Sequence, residues 1–428
     1  MYKANLNRRD FIKLAGMASV STLISPALVG AQANIPHVVV VGGGFAGATC
    51  ANYLRQYDSS VRITLIEPKQ SYTTCPFSNK VIGGLSSLPS ITHSYESLRV
   101  NRKIEVVHDR VVAVDPGSKK ISLQGGDTIS YDRLVVAPGV SFQTNQIEGY
   151  SETVSQLIPH AWQAGEQTLL LRQQLEAMPD GGVVVIAAPP APFRAPPAPY
   201  ERASLIAHYL KQNKPKSKVV IIGSAQGMTE LDLFKTGWST LYPGLIEHIL
   251  IADDVTVTQI DSNTKTLRLS TGDTFKGAVV NLIPPQQAGR LAQTLGLTDA
   301  GGWCPVKQPS FESTQQSGIH VIGDACQAGD MEKIGHSASI QGKICAAAII
   351  SQFHGTPMPE PIYSSSIYSL LSPKYAISDA AVYRLSNGRI KTVSRGSSPM
   401  KASKKTRRKE ASYAEGWYKA IISEMFAT

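Results

Sequence analysis

The segment His37-Val38-Val39-Val40-Val41 is an apolar run of the length of one buried parallel strand. It runs straight into Gly42-Gly43-Gly44-Phe45-Ala46-Gly47, which fits G-x-G-x-x-G. Ala48 to Tyr57 follows with helical apolar spacing, and Val61 to Ile66 is a second strand that ends on Glu67. Strand, glycine turn, helix, strand and an acid about 20 residues on make a βαβ unit for the ADP half of a dinucleotide. Gly42 permits the tight turn, and Gly44 lets a pyrophosphate approach the helix N-terminus. Phe45 and Ala46 complete the turn's contact with the cofactor. Gly47 lets helix and strand pack closely, and Glu67 can accept from a ribose hydroxyl. The glycine motif alone would be weak; all its parts in order are specific. Eight residues after Glu67 stands Cys75, in Ser71-Tyr72-Thr73-Thr74-Cys75-Pro76-Phe77-Ser78-Asn79.

The N-terminus reads as an address. Asn7-Arg8-Arg9-Asp10-Phe11-Ile12-Lys13 matches a twin-arginine export signal. Leu14 to Val29 is moderately apolar, and Ala31-Gln32-Ala33 supplies a cleavage site, so Asn34 is expected to begin a mature periplasmic chain. The alternative is an uncleaved anchor, but the stretch is broken by Ser25-Pro26 and is short against the about 20 apolar residues that span a bilayer. No other segment reads as a membrane span. Lys and Arg number 42 against 32 Asp and Glu, a net +10. Lys3, Arg8, Arg9 and Lys13 less Asp10 account for +3, which leaves +7 beyond the signal. A basic balance fits nucleic acid, a membrane surface or an acidic protein partner, and export argues against nucleic acid. Five scattered cysteines make no disulfide scaffold, and no metal-ligand cluster is read.

A second nucleotide-type unit begins at Gly182-Val183-Val184-Val185-Ile186, with Lys218 to Ile222 as its next strand. The turn between them holds six prolines in residues 189–199 and no glycine. Proline removes N–H donors, and no residue there allows a phosphate close to the backbone. This unit has the order of a nicotinamide domain without its chemistry, so NAD(P)H is not expected as a substrate. Lys103 to Val114 and Lys120 to Leu123 read as a small β-rich insertion. Tyr131 to Gly139 is a strand closed by a tight turn, and Ser313 to Asp324 is another that ends in Gly323-Asp324. A helix from about Ser337 to Phe353 follows it. Beyond Ile362 come a strand pair around Ala376 to Arg384, a basic run at Lys401–Lys409 and a helix from Tyr413 to Met425. The basic run is a solvated loop or a docking patch.

Together these features resemble the flavoprotein subunit of flavocytochrome c sulfide dehydrogenase, a family beside the sulfide:quinone reductases. The resemblance is carried by the Gly42–Gly47 turn, Thr74–Asn79, Pro199-Tyr200-Glu201-Arg202-Ala203, Gly302-Trp303-Cys304-Pro305 and Gly323-Asp324-Ala325. It implies an α/β flavoprotein with tandem Rossmann-like FAD and NAD(P)-like domains and a C-terminal α+β domain. The expected boundaries are signal 1–33, FAD-binding 34–148, NAD(P)-like 149–297, FAD-binding 298–361 and C-terminal interface domain 362–428. The resemblance implies FAD bonded through sulfur at Cys75, Ala137 in the turn that closes the first FAD segment, and Gly323-Asp324 on the ribityl chain. Asp324 could instead only cap the next helix. That helix would point its positive end at the flavin pyrimidine. The resemblance places Glu201 near the flavin as a general base; the alternative is a structural acid paired with Arg202 or Arg194.

The family also carries a redox cysteine pair. Its positions here are Ala195, in Arg194-Ala195-Pro196-Pro197, and Ile367, before Tyr368-Ser369-Leu370-Leu371. The expected function is therefore periplasmic, FAD-dependent oxidation of sulfide or a related small inorganic sulfur donor, without that pair. No C-x-x-C-H occurs, so haem must sit on a partner, a c-type cytochrome subunit. The rival readings are a paralogue that oxidises another small reductant or thiol, and a flavin relay subunit with little sulfide activity of its own. A membrane-attached quinone reductase is disfavoured because no terminal amphipathic anchor stands out.

Overall fold

Strand His37–Val41 is buried at all five positions, which is why it carries an unbroken valine run rather than an alternation. The computed structural model describes residues 35–224 and 228–428, and the export signal expected at 1–33 lies outside them. Residues 36–428 form one compact unit. His37–Val41 pairs in parallel with Arg62–Ile66 on one side and Arg133–Val136 on the other. Ile319–Val321 adds to Arg133–Val136 in parallel, so the chain returns to the first sheet after a long excursion. This return sets Gly323 beside the first glycine turn. Glu105–Val107 pairs with Thr64–Ile66 and belongs to the same sheet. The expected insertion is therefore smaller: the antiparallel strands Val111–Asp115, Lys120–Leu123 and Thr128–Ser130.

The second sheet has four parallel strands in the order Ile246–Leu250, Lys218–Gly223, Val183–Ala187, Val279–Leu282. The proline-rich turn leads from Val183–Ala187 into helix Ala198–Asn213, which returns the chain to Lys218–Gly223. The strand–helix–strand order expected of a nicotinamide domain is present. Two helices lock the first sheet. A Cβ on Gly342 of helix Gly335–His354 would lie 2.5 Å from the Ala46 carbonyl oxygen of helix Phe45–Tyr57. The Thr49 and Ser339 hydroxyls meet there at 3.3 Å.

The C-terminal segment differs from its expected form in two ways. The strand pair is a three-stranded antiparallel sheet of Tyr363–Ser372, Tyr375–Ser386 and Arg389–Ser397. The basic run is not a loop but the start of helix Lys404–Phe426. Ser403 caps that helix, its hydroxyl accepting from the Thr406 N–H at 3.1 Å. Lys404, Lys405, Arg408 and Lys409 are exposed, but Arg407 turns inward and is buried. Its guanidinium donates to Glu410 Oε2 at 3.0 Å and to the Pro399 carbonyl at 2.6 Å. Arg407 therefore cannot be a docking charge. Arg407→Met removes the cation that buried Glu410 faces and should cost about 3–5 kcal/mol, read from the urea unfolding midpoint. Arg407→Met with Glu410→Met should recover most of that loss, since two apolar side chains can fill the volume of a buried pair. A double variant no better than the single one would contradict this account.

Candidate active site

The first glycine turn is fixed by contact. Gly42 has φ +101, and its N–H donates to the Ile66 carbonyl at 2.9 Å. A Cβ there would lie 2.4 Å from the Ala137 carbonyl oxygen, and one on Gly47 would lie 1.9 Å from the Gly42 carbonyl oxygen. Both glycines are required by backbone approach. Gly44 is different: an added Cβ would meet only the Tyr72 ring, at 3.5 Å or more. Its side of the turn is open, and helix Phe45–Tyr57 has no side-chain cap and no acid in its first turn. An uncapped helix N-terminus facing an open glycine is where a pyrophosphate sits. Glu67 receives the Gly43 N–H at 2.9 Å, which holds its carboxylate beside the turn. Tyr95, which the sequence reading passed over, anchors the other side by donating to the Gly43 carbonyl at 3.0 Å.

The strand that ends at Val321 delivers Gly323 and Asp324 to this turn. Gly323 has φ +81, and a Cβ on it would lie 3.0 Å from the Ala46 Cβ. Its N–H donates to Gln341 Oε1 at 2.7 Å. Asp324 Oδ1 and Ser337 Oγ, in the first turn of helix Gly335–His354, are buried without a hydrogen-bond partner. Orphaned polar atoms of this kind next to an open helix N-terminus fit the hydroxyls and ring heteroatoms of FAD. Burial pushes the Asp324 carboxyl up, and Arg194 and Lys333 pull against it.

Cys75 lies near the same region, half-buried, its Sγ 3.6 Å from the Trp162 carbonyl oxygen. The Arg194 guanidinium donates to that same carbonyl. Burial works against the Arg194 charge, but Cys75, Asp324 and Tyr72 outweigh it and hold its pKa above the ordinary value. Cys75, Asp324, Arg194 and Tyr72 thus share one electrostatic neighbourhood, and Tyr72 stands edge-on to Phe45 at 6.0 Å.

Glu201 opens helix Ala198–Asn213 and joins three segments. Its Oε2 accepts from Asn79 Nδ2 at 2.7 Å and its Oε1 from the Leu370 N–H at 2.9 Å. Arg202 does not pair with it directly. That guanidinium donates to Asn79 Oδ1 at 3.0 Å, to Asn281 Oδ1 at 2.8 Å and to the carbonyls of His160 and Ala161. The two charges are bridged by Asn79, four residues after Cys75. Burial raises the Glu201 carboxyl above the ordinary carboxylate range, against the pull of Leu370, Asn79 and Arg202.

Ala195 sits in the left-handed region at φ +53, its N–H on the Lys333 carbonyl at 2.9 Å. Ile367 lies on strand Tyr363–Ser372, three residues before the Leu370 that bonds Glu201. All five cysteines are free thiols. The structure thus gathers Gly42, Gly44, Phe45, Ala46, Gly47, Ala137, Gly323 and Asp324 around one turn, with Glu67 on its rim. Cys75 and Glu201 lie next to it through Arg194 and Asn79. A cleft of about 500 Å³ lined by Asn52, Gln56, Arg102, Trp417 and Glu424 contains none of these residues. Trp162, Gln286 and Lys333 escaped the sequence reading, because only the tertiary fold brings them to Arg194.

Comparison with known proteins agrees with this geometry. Residues 36–186 match the family model described as pyridine nucleotide-disulphide oxidoreductase. Residues 168–284 match sulfide dehydrogenase (flavocytochrome c) flavoprotein chain, central, and residues 359–426 match flavocytochrome c sulphide dehydrogenase, flavin-binding. The chain is 64% identical over 44 residues, 10% of its length, to the sulfide dehydrogenase (flavocytochrome c) flavoprotein chain of Chlorobaculum thiosulfatiphilum, of which it covers 92%. It is 31% identical over 183 residues, 43% of its length, to a sulfide-quinone reductase of Aquifex aeolicus, of which it covers 41%. The crystal structure of a sulfide:quinone oxidoreductase from Aquifex aeolicus superposes with a TM-score of 0.72 at 20% identity, over 92% of this chain and 93% of that one. A ferredoxin reductase from Rhodopseudomonas palustris superposes at 0.63 with 18% identity, over 82% and 83% of the two chains. The structural likenesses show the shared fold. Glycine turn, orphaned flavin-side polar atoms and matched family models lead to one conclusion: the chain belongs to the family of flavocytochrome c sulfide dehydrogenase flavoprotein chains, FAD-dependent oxidoreductases related to the sulfide-quinone reductases.

Proposed function

We propose that the protein oxidises sulfide, or a closely related reduced inorganic sulfur compound, in the periplasm and passes the electrons to a c-type cytochrome subunit. The observation that carries this reading is the junction at Glu201. One carboxylate is held by Asn79, from the Cys75 segment, and by Leu370, from the strand that bears Ile367. FAD supplies the redox chemistry, taking an electron pair from a donor and releasing it one electron at a time. The protein's share is to hold it and to manage protons. The Gly42–Gly47 turn would hold the pyrophosphate, Glu67 the ribose and Asp324 the ribityl chain, and Cys75 would fix the ring edge as a thioether. Glu201 is the candidate general base toward a protonated sulfur donor. Ala195 and Ile367 stand where the family's redox cysteines are expected, so no persulfide relay is available and the donor must reach the flavin directly.

The same two residues favour a second reading, a flavin relay with little sulfide activity of its own. Sulfide added to the oxidised protein should bleach the flavin, and a c-type cytochrome should restore its colour. NADH and NADPH should do nothing, because the proline-rich turn offers no pyrophosphate cradle. Bleaching by dithionite but not by sulfide would select the relay. Rapid bleaching by either nicotinamide would overturn the assignment of the second sheet. The exposed cations Lys404, Lys405, Arg408 and Lys409 are a candidate cytochrome contact. Their effect would be greatest at low salt, since the Debye length is only about 8 Å at physiological ionic strength.

A further inference from the structure

We propose that Arg194, Trp162 and Gln286 form a subsite for a small, singly charged sulfur anion, the form in which the electron donor binds beside Cys75. This rests on the sulfur-donor reading above and names the state in which that donor is held. The Trp162 indole is 4% exposed and the Gln286 side chain 5%, yet Trp162 Nε1 and Gln286 Nε2 meet no acceptor. A buried N–H without an acceptor is costly, and two on residues that both hydrogen-bond Arg194 mark a place where an acceptor arrives. The three residues are tied together. The Arg194 N–H donates to Gln286 Oε1 at 3.1 Å, and the Arg194 guanidinium donates to the Trp162 carbonyl, 3.6 Å from Cys75 Sγ.

The surroundings suit an anion. Phe193, Ile283, Phe142 and Ala198 pack around Trp162 and form an apolar wall that keeps water out. His160 Nδ1 accepts the Trp162 backbone N–H at 2.9 Å, and burial together with the charges of Arg202 and Arg194 pushes its pKa down to about 3. Arg194 and Arg202 bring positive charge to this wall. Arg202 commits its donors to Asn79, Asn281 and two carbonyls and has little left for a ligand. Two carboxylates are near. Asp324 acts on Arg194 electrostatically, and Glu201 is held by Asn79 and Leu370. Arg194, Arg202 and Lys333 against Asp324 and Glu201 leave one positive charge, which matches one negative charge and not two. A flavin joined to Cys75 at its methyl edge would turn a hydrocarbon ring toward these donors and would leave them without an acceptor. Ala195, next to Arg194, presents only a methyl group in place of the family's thiol.

Thiocyanate is a singly charged sulfur anion that does not reduce flavins, and it serves as the probe. Titrated into the oxidised holoprotein, it should perturb the visible flavin spectrum and saturate. Gln286→Glu keeps the oxygen that receives the Arg194 N–H and adds a negative charge. Trp162→Phe keeps the apolar packing and removes the indole N–H. Each should raise the thiocyanate Kd by about tenfold or more, the size of one charge-assisted hydrogen bond, with flavin content and reduction by dithionite unchanged. No saturable change in the unaltered protein, or an unchanged Kd in both variants, overturns the subsite. If thiocyanate binds and both variants weaken it while sulfide fails to bleach the flavin, the subsite stands and the sulfide assignment falls.

Discussion

Acid-precipitated protein should carry its yellow colour into the pellet, and Cys75→Ala should release all of it into the supernatant. The expectation follows from where the sulfur stands. Cys75 is half-buried and unbonded to any other cysteine, and it shares a neighbourhood with Arg194, Tyr72 and Asp324, which lie at the flavin side of the glycine turn. A buried structural cysteine would behave as a small apolar residue. The other four are of that kind, fully or almost fully enclosed. The variant should still bind FAD as purified, because the turn at Gly42–Gly47, the uncapped helix and Asp324 are untouched. Its flavin should then pass through an ultrafiltration membrane after denaturation, whereas wild-type flavin should not. Colour lost wholly to the supernatant from the unaltered protein would falsify the covalent link. A covalent bond keeps the cofactor where no free FAD exists to replace it, which agrees with the expected export.

The parts of the site legible in the sequence are those whose cause is local. Gly42 and Gly47 are forced by backbone oxygens within a few residues or one strand away, and the valine run announces a strand buried on both faces. The second sheet was legible for the same reason, and its missing glycines were as informative as the first turn's presence. What could not be read depends on contacts far apart in the chain. Arg194 meets Gln286 92 residues away, and Glu201 meets Leu370 169 residues away. Neither distance leaves a spacing in the sequence. The C-terminal helix is an intermediate case. Its inward face, Arg407, Glu410, Ala411, Ala414, Tyr418, Ile421, Ile422 and Met425, keeps helical spacing throughout. The first two members are charged, so the pattern looked like a basic loop until their mutual pairing was seen. Ser403, three residues before Thr406, was the available signal.

Glu201→Gln should slow flavin reduction by sulfide by about 10²–10⁴-fold, the usual worth of a positioned general base, while leaving flavin content unchanged. Gln keeps the side-chain shape and one oxygen for the Leu370 N–H, so the tie to the C-terminal sheet should survive, while its NH2 faces the Asn79 NH2 and that one hydrogen bond is lost. The pH profile separates a base from a structural acid. Burial raises the Glu201 carboxyl, and the hydrogen bonds from Leu370 and Asn79 and the charge of Arg202 only partly reverse this. A base works when deprotonated, so the rate should rise with pH through the raised pKa. The acid limb should therefore lie above the range of an ordinary carboxylate. In Glu201→Gln that limb should vanish and the remaining slow rate should be flat across the same window. A purely structural Glu201 predicts otherwise: the variant would lose thermal stability or flavin, and the surviving molecules would keep the wild-type pH profile. Asn79→Ala gives a second test. It removes the amide that bridges Glu201 to Arg202, so the carboxyl should rise further and the acid limb should shift to higher pH. A limb that stays in place in Asn79→Ala would show that the titrating group is not Glu201.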